Sequence, residues 1–231
     1  IWDLDRGKMD MMPQEFVRPD WPSRDLKAGT PFTEGYDGID ISSHQGRIYW
    51  DSLRMSNPNL LFIYVRAVGK KGPDSNYMMN VCDAKQAGFA VGSYHFFNMA
   101  TPVDEQFRMF SQMVNPEEQD ILPMLDVEPQ SLAPDDNEHF VDSVKKMLSL
   151  MEKAYKRKPV IYSNQHFYNQ YLARYLAGYP LWIANYSSEP VIHGARPILW
   201  QCSMKGHVRG IWTDVDIDRF VNGASINDIL L

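Results

Sequence analysis

Two carboxylates end the apolar stretch ILPMLDVEPQ at positions 121–130. Acidic side chains are poor strand formers and costly to bury, so their position needs a physical reason. Residues i and i+2 of a strand face the same side, which puts Asp126 and Glu128 on one face and Leu125 and Val127 on the other. The apolar pair suits packing against helices, and the acidic pair would then face a pocket. Taken alone, such a pair is as consistent with a helix cap, a salt bridge or a cation site as with acid–base catalysis.

Two other strand candidates repeat the pattern. The segment GIDIS places Asp40 between two isoleucines, and VDIDRF places Asp216 and Asp218 on one face. Clustered carboxylates repel each other and cost stability unless a function uses them. Three acid-bearing strand ends in one chain therefore favour a catalytic site, and proton donation next to a developing positive charge is chemistry that such a site can perform.

Short apolar segments alternate with helical patterns along most of the chain. The predicted strands are 36–42, 60–68, 89–97, 121–128, 159–164, 181–187, 198–203 and 215–220. The predicted helices are 75–87, 103–114, 137–156 and 166–177. Strand–helix alternation implies parallel strands, while the last three strands leave little room for helices between them.

This order predicts a closed α/β barrel of the (β/α)8 type that lacks its final helices. An open doubly wound sheet is the alternative, although no glycine-rich phosphate loop follows the first strand. In a closed barrel the first and eighth strands are neighbours, so Asp40, Asp126, Glu128 and Asp216 would meet at the C-terminal mouth, where barrel enzymes hold their catalytic groups.

Composition limits the classes of function. The chain has 231 residues, 44% of them hydrophobic, which is enough for one sizeable core. Its net charge of −6 argues against a general nucleic-acid binder. No apolar run approaches the length of a membrane helix. Because the chain begins at Ile1, we expect that a secretory or lipoprotein signal was removed or that the chain was trimmed, with the protein secreted or in the cell envelope.

Residues 1–35 hold several prolines and tryptophans without a sustained period, which predicts an irregular arm rather than a separate domain. Residues 36–231 are predicted to form the catalytic barrel. Cys82 and Cys202 lie far apart in sequence, and we interpret them as two isolated buried thiols rather than a disulfide.

Aromatic residues also gather at predicted strand ends. They are Tyr94, Tyr162, Trp182 and Tyr186. Each could simply be a core residue, but as a set they resemble a sugar groove, because ring faces stack on pyranose C–H faces. The histidines show no metal-ligand spacing, and no G-x-S-x-G elbow is present, so we expect no metal and no organic cofactor.

Seven motifs in order resemble glycoside hydrolase family 25, the Chalaropsis-type lysozymes or N-acetylmuramidases. They are YDGIDISSHQG, AGFAVGSYHFF, ILPMLDVEP, PVIYSN, LWIANY, ILWQ and VDIDRF. The resemblance implies a (β/α)5(β)3 barrel that acts on peptidoglycan glycan strands between N-acetylmuramic acid and N-acetylglucosamine. It implies Glu128 as general acid, supported by Asp126, Asp40 and Asp216.

The same resemblance implies Tyr94, Trp182 and Tyr186 as groove residues. One departure concerns the turn after the second strand, where Arg66–Lys71 lacks the glutamate of many members and ends in two lysines. A non-catalytic glycan-binding barrel and a hexosaminidase or chitinase-like enzyme therefore stay as alternatives. Retention, inversion and substrate assistance also stay open, and we expect a monomer.

Overall fold

The structure, a computed structural model, describes residues 31–129 and 137–231. Most of the predicted arm, residues 1–30, lies outside the described residues. The part of the arm that is described packs on the barrel, because the Thr33 backbone N–H donates to the His207 carbonyl at 2.8 Å and the His207 N–H donates to Thr33 Oγ1 at 2.9 Å.

Nine strands and five helices are described. The strands are β1 (Gly38–Ile41), β2 (Phe62–Gly69), β3 (Gly72–Pro73), β4 (Ala90–Phe96), β5 (Met124–Asp126), β6 (Val160–Asn164), β7 (Leu181–Ala184), β8 (Leu199–Gly206) and β9 (Val215–Phe220). The helices are α1 (Trp50–Ser56), α2 (Tyr77–Gln86), α3 (Val103–Met113), α4 (Asn137–Tyr155) and α5 (Gln165–Phe167). The predicted helix 166–177 is thus wrong in length: α5 is short and continues as a π-helical turn, Tyr168–Leu172.

Eight of the strands form a closed barrel, in the order β1-β9-β8-β7-β6-β5-β4-β2 with β2 paired back to β1. The predicted TIM-like barrel is confirmed, and the open-sheet alternative is wrong. The strand β3 stands outside the ring, where it forms a hairpin with β2. Within the ring, neighbouring strands are parallel except at β9, which runs antiparallel to both β8 and β1.

The reversed direction of β9 determines the depth of its two acids. Asp216 lies near the start of β9 and pairs with Asp40, close to the C-terminal end of β1. Asp218 lies farther down the barrel, opposite Gly38. The strand β5 is also shorter than the predicted 121–128, so Glu128 lies two residues beyond its end, next to Pro129.

Two layers of apolar side chains hold this frame. Between strands and helices, Leu125 and Val127 are fully buried on the outward side of β5, as the alternation predicted. Inside the barrel, Phe62, Tyr64 and Trp182 form an aromatic filling. These side chains occupy the lower interior, and a pocket lies above them, at the mouth.

Neither cysteine is paired. Cys82 and Cys202 are both free, as predicted, but each is only half-buried, which corrects the prediction that they are buried. Among the described residues, no helix combines the length and the apolarity that a membrane crossing requires.

Candidate active site

A pocket of about 250 Å³ opens at the C-terminal mouth of the barrel. Its lining side chains are Asp40, Arg66, Tyr94, Phe96, Met124, Asp126, Glu128, Tyr162, Tyr186, Gln201, Met204 and Asp216. All four acids predicted from the sequence therefore line one pocket, together with three of the four predicted aromatic residues.

The fourth aromatic residue, Trp182, does not reach the pocket. Its side chain is fully buried, and its Nε1 donates a hydrogen bond to Asp218 Oδ1 at 3.1 Å. The indole also contacts the rings of Tyr64 and Tyr162. Trp182 belongs to the filling beneath the site, which corrects its prediction as a groove residue.

The acids lie where ionisation is unfavourable. Asp40 is 7% exposed and Asp126 is 8% exposed. Burial, and secondly the charge of Asp216, raises the pKa of Asp40 well above its usual value. Burial, and secondly the charge of Glu128, does the same to the pKa of Asp126. Burial also raises the pKa of Asp216, to about 6, with a further contribution from Glu128.

Of the two carboxyls at the end of β5, Glu128 is the less enclosed, because it is only partly buried whereas Asp126 is buried. Burial raises the pKa of Glu128 above its usual value. Asp126 Oδ1 has no hydrogen-bond partner among the described residues. The site therefore combines a carboxyl of raised pKa that a ligand can reach with a buried oxygen to which no described residue donates a hydrogen bond.

Gln201, which the sequence analysis did not assign, connects both sides of the pocket. Its Oε1 accepts hydrogen bonds from Tyr162 Oη at 2.7 Å and Tyr186 Oη at 2.8 Å, and its Nε2 donates to Asp40 Oδ2 at 2.8 Å. The side chain lies on β8 and is almost fully buried. A glutamine within the apolar motif ILWQ is the signal that could have revealed it.

Arg66 on β2 is the second residue that the sequence analysis missed, and it is the only cationic side chain in the described lining of the pocket. It forms a salt bridge with Asp74 at 2.8 Å, and Asp74 also accepts backbone N–H groups from Ser43 and Asn76. The Arg66 charge opposes the burial effect by lowering the pKa of Asp40 and of Asp126. An arginine on an otherwise apolar strand was the available signal.

The carboxyls in the pocket have the chemistry that a glycosidase uses. No group of three or more His, Cys, Asp or Glu side chains suited to a metal ion is found in the described parts of the chain. Paired carboxyls facing an open pocket can instead supply the proton and the negative charge that glycoside cleavage needs. The half-exposed ring of Tyr186 adds an aromatic face at the rim.

Known proteins resemble this chain along most of its length. The family model of glycosyl hydrolases family 25 matches residues 39–211. The uncharacterized protein YegX of Escherichia coli K12 is 32% identical over 208 residues, which cover 88% of this chain and 75% of YegX. Lysozyme M1 of Streptomyces globisporus is 26% identical over 212 residues, which cover 85% of this chain and 71% of that protein. The crystal structure of a bacterial lysozyme from Streptomyces coelicolor superposes with a TM-score of 0.73 at 26% identity, covering 84% of this chain and 95% of the other.

Proposed function

Because the chain belongs to glycosyl hydrolases family 25, we propose that it is an N-acetylmuramidase. In this proposal it cleaves the β-1,4 bond between N-acetylmuramic acid and N-acetylglucosamine in peptidoglycan. The observation that carries the proposal is the meeting of Asp40, Asp126, Glu128 and Asp216 in one open pocket. The lysozymes among the similar proteins support the choice of substrate.

Glu128 is assigned as the general acid. It must hold a proton near the working pH, and burial raises its pKa in that direction. Of the two carboxyls that the LDVEP segment supplies, it is the one that a ligand can approach more freely. The proton moves from Glu128 to the glycosidic oxygen as the C–O bond breaks, and the resulting carboxylate can then take a proton from the incoming water.

The neighbouring acids divide the remaining tasks. Asp126 has a buried oxygen with no hydrogen-bond partner among the described residues, and it is suited to orient the N-acetyl group of the bound sugar. Asp216 has a pKa raised only to about 6, so it ionises within a mild pH range and supplies negative charge opposite the developing oxocarbenium centre. Tyr186 offers its half-exposed ring as a stacking surface for a pyranose.

The test uses purified peptidoglycan. The new reducing ends are converted to sugar alcohols with borohydride and identified after acid hydrolysis. Muramitol is the expected product. Glu128→Gln should lower the rate at least about 100-fold, the usual minimum contribution of a general acid. Glu117→Gln is the matched control, because it makes the same change at an exposed position away from the pocket.

Each alternative has a distinct result. Glucosaminitol as the new end would identify a hexosaminidase or chitinase-like specificity. Glycan binding without any new reducing end would identify a non-catalytic barrel. Full activity of the Glu128→Gln variant would remove Glu128 from its assigned role. Since peptidoglycan lies outside the cytoplasmic membrane, the proposal also places the protein in the cell envelope or the medium.

A further inference from the structure

A second cavity, of about 210 Å³, adjoins the catalytic pocket. Phe96 lines both of them, so the two cavities are neighbours at the mouth of the barrel. The second cavity lies between the tip of the β2–β3 hairpin, the end of β4 and the first turns of α3. We call it the lysine cavity, after Lys70 and Lys71 in its lining.

The walls of the lysine cavity are fixed by a buried polar network. Gln106 Nε2 donates to the carbonyls of Asn98 at 2.8 Å and Thr101 at 2.7 Å, while its Oε1 accepts from the Asn98 N–H at 2.9 Å. His95 Nε2 lies 2.9 Å from the same Oε1, so this nitrogen carries the imidazole proton. His95 Nδ1 is left as an acceptor with no partner in the described parts of the chain.

The charge of the lysine cavity is opposite to that of the catalytic pocket. Lys70 and Lys71 are the two tip residues of a tight hairpin, because Gly69 pairs directly with Gly72. Both are exposed, and neither forms an ion pair with any described residue. Glu105 is the only acid in the described lining. Two adjacent ammonium groups repel each other, and a bound anion would offset that repulsion.

A ligand that spans both cavities needs two kinds of chemistry. The carboxyls of the catalytic pocket suit neutral sugar rings, which bring hydroxyl and amide groups. The unpaired lysines suit a carboxylate carried beside the sugar. A sugar that bears an acidic peptide has these groups in one molecule.

We propose that the lysine cavity binds the carboxylate-bearing peptide substituent of a glycan strand while the strand itself occupies the catalytic pocket. The inference rests on the proposed function and extends it to a preference for strands that carry acidic peptides. Lys70 and Lys71 are specificity residues in this scheme, and they take no part in bond cleavage.

The test measures binding to the Glu128→Gln protein, so that no turnover interferes. The first probe is a disaccharide of N-acetylglucosamine and N-acetylmuramic acid that carries a short peptide with free carboxylates, and the second has the same carboxylates amidated. The variant Lys70→Met/Lys71→Met, made in the Glu128→Gln background, should bind the acidic probe about 3- to 10-fold more weakly, the size expected for two exposed ion pairs. Its affinity for the amidated probe should not change.

The control is Lys153→Met/Lys156→Met, which removes the same charge from the C-terminal end of α4 and just beyond it, away from the mouth. This variant should bind both probes as the parent does. The difference between the probes should also shrink as salt is raised, since exposed charges are screened.

Two results would overturn the inference: equal affinity of the parent for both probes, or an equal loss for both probes in the Lys70→Met/Lys71→Met variant. Failure of the proposed function looks different. In that case the protein with Glu128 intact releases no muramic-acid reducing ends, whatever the two binding ratios are.

Discussion

Gln201 is the residue whose replacement tests the geometry of the pocket most directly. Gln201→Leu keeps a similar volume but removes the acceptor of the Tyr162 and Tyr186 hydroxyls and the donor to Asp40. Tyr186 is half exposed and can bond to water instead. The cost therefore falls on Tyr162 and Asp40, which are buried.

The size of that cost follows from the two groups left without a partner. An unsatisfied buried polar group costs about 1–3 kcal/mol, so two of them should lower the free energy of unfolding by about 2–6 kcal/mol. Activity should fall as well, because the Gln201 bond lowers the pKa of Asp40 and its loss holds Asp40 more firmly in the protonated form.

Gln201→Glu is the matched control, since it keeps an oxygen that accepts from both tyrosines. Its second oxygen faces Asp40, so the two carboxyls must share a proton. A buried acid with a raised pKa in the folded state contributes stability at low pH and loses it as pH rises through that pKa. Gln201→Glu should therefore resemble the parent near pH 5 and become less stable at pH 7.5.

Urea unfolding followed by tryptophan fluorescence at both pH values measures these effects. A loss below about 0.5 kcal/mol for Gln201→Leu, the range of ordinary surface substitutions, would show that the Gln201 network does not hold the pocket together. An equal loss for Gln201→Glu at both pH values would refute the shared proton.

Two further predictions concern charge. The raised pKa values of Asp40, Asp126, Glu128 and Asp216 mean that the folded state binds more protons than the unfolded one between about pH 4 and 7. Thermal stability should thus rise as pH is lowered from 7 to 5, and scanning calorimetry that found the opposite trend would contradict the burial argument. Arg66→Met should move the pH–rate profile upward by about 1 pH unit, because an adjacent cation lowers a carboxyl pKa by about that amount or more. Arg66→Lys keeps the positive charge and should move the profile less. An unshifted profile in Arg66→Met would show that the guanidinium does not act on the acids.

Alternation of residue types predicted the face of each acid, and it did so for a physical reason. In a barrel wall one side packs on helices and the other lines the interior. Leu125 and Val127 pack outward, so the alternating residues Asp126 and Glu128 face the interior. Counting strands predicted the closure that makes β1 and β9 neighbours. These two inferences were enough to bring the four acids together.

Height along the barrel axis was not predictable in the same way. Alternation along the strand predicts that Trp182 faces inward. It does not predict whether the ring reaches the mouth or stays in the filling, because that depends on the register between β7 and its neighbours. The direction of β9 is a similar case, because only the antiparallel pairing puts Asp216 above Asp218. Gln201 escaped detection because one amide in an apolar motif has the same pattern as a core position.

The filling of the lower barrel explains how the chain tolerates such a pocket. Carboxyls held at raised pKa values destabilise the folded state as pH rises, so the rest of the interior has to be well packed. Gly38 makes this possible, because a Cβ there would lie 2.0 Å from the ring of Phe62. Trp182 packs in the same filling, and its Nε1 donates a hydrogen bond to one oxygen of the buried Asp218. Burial, and secondly the charges of Asp40 and Asp216, also raises the pKa of Asp218 well above its usual value, which favours the neutral form of this acid beneath the site. The close packing beneath the mouth is therefore a condition for placing four carboxyls in it.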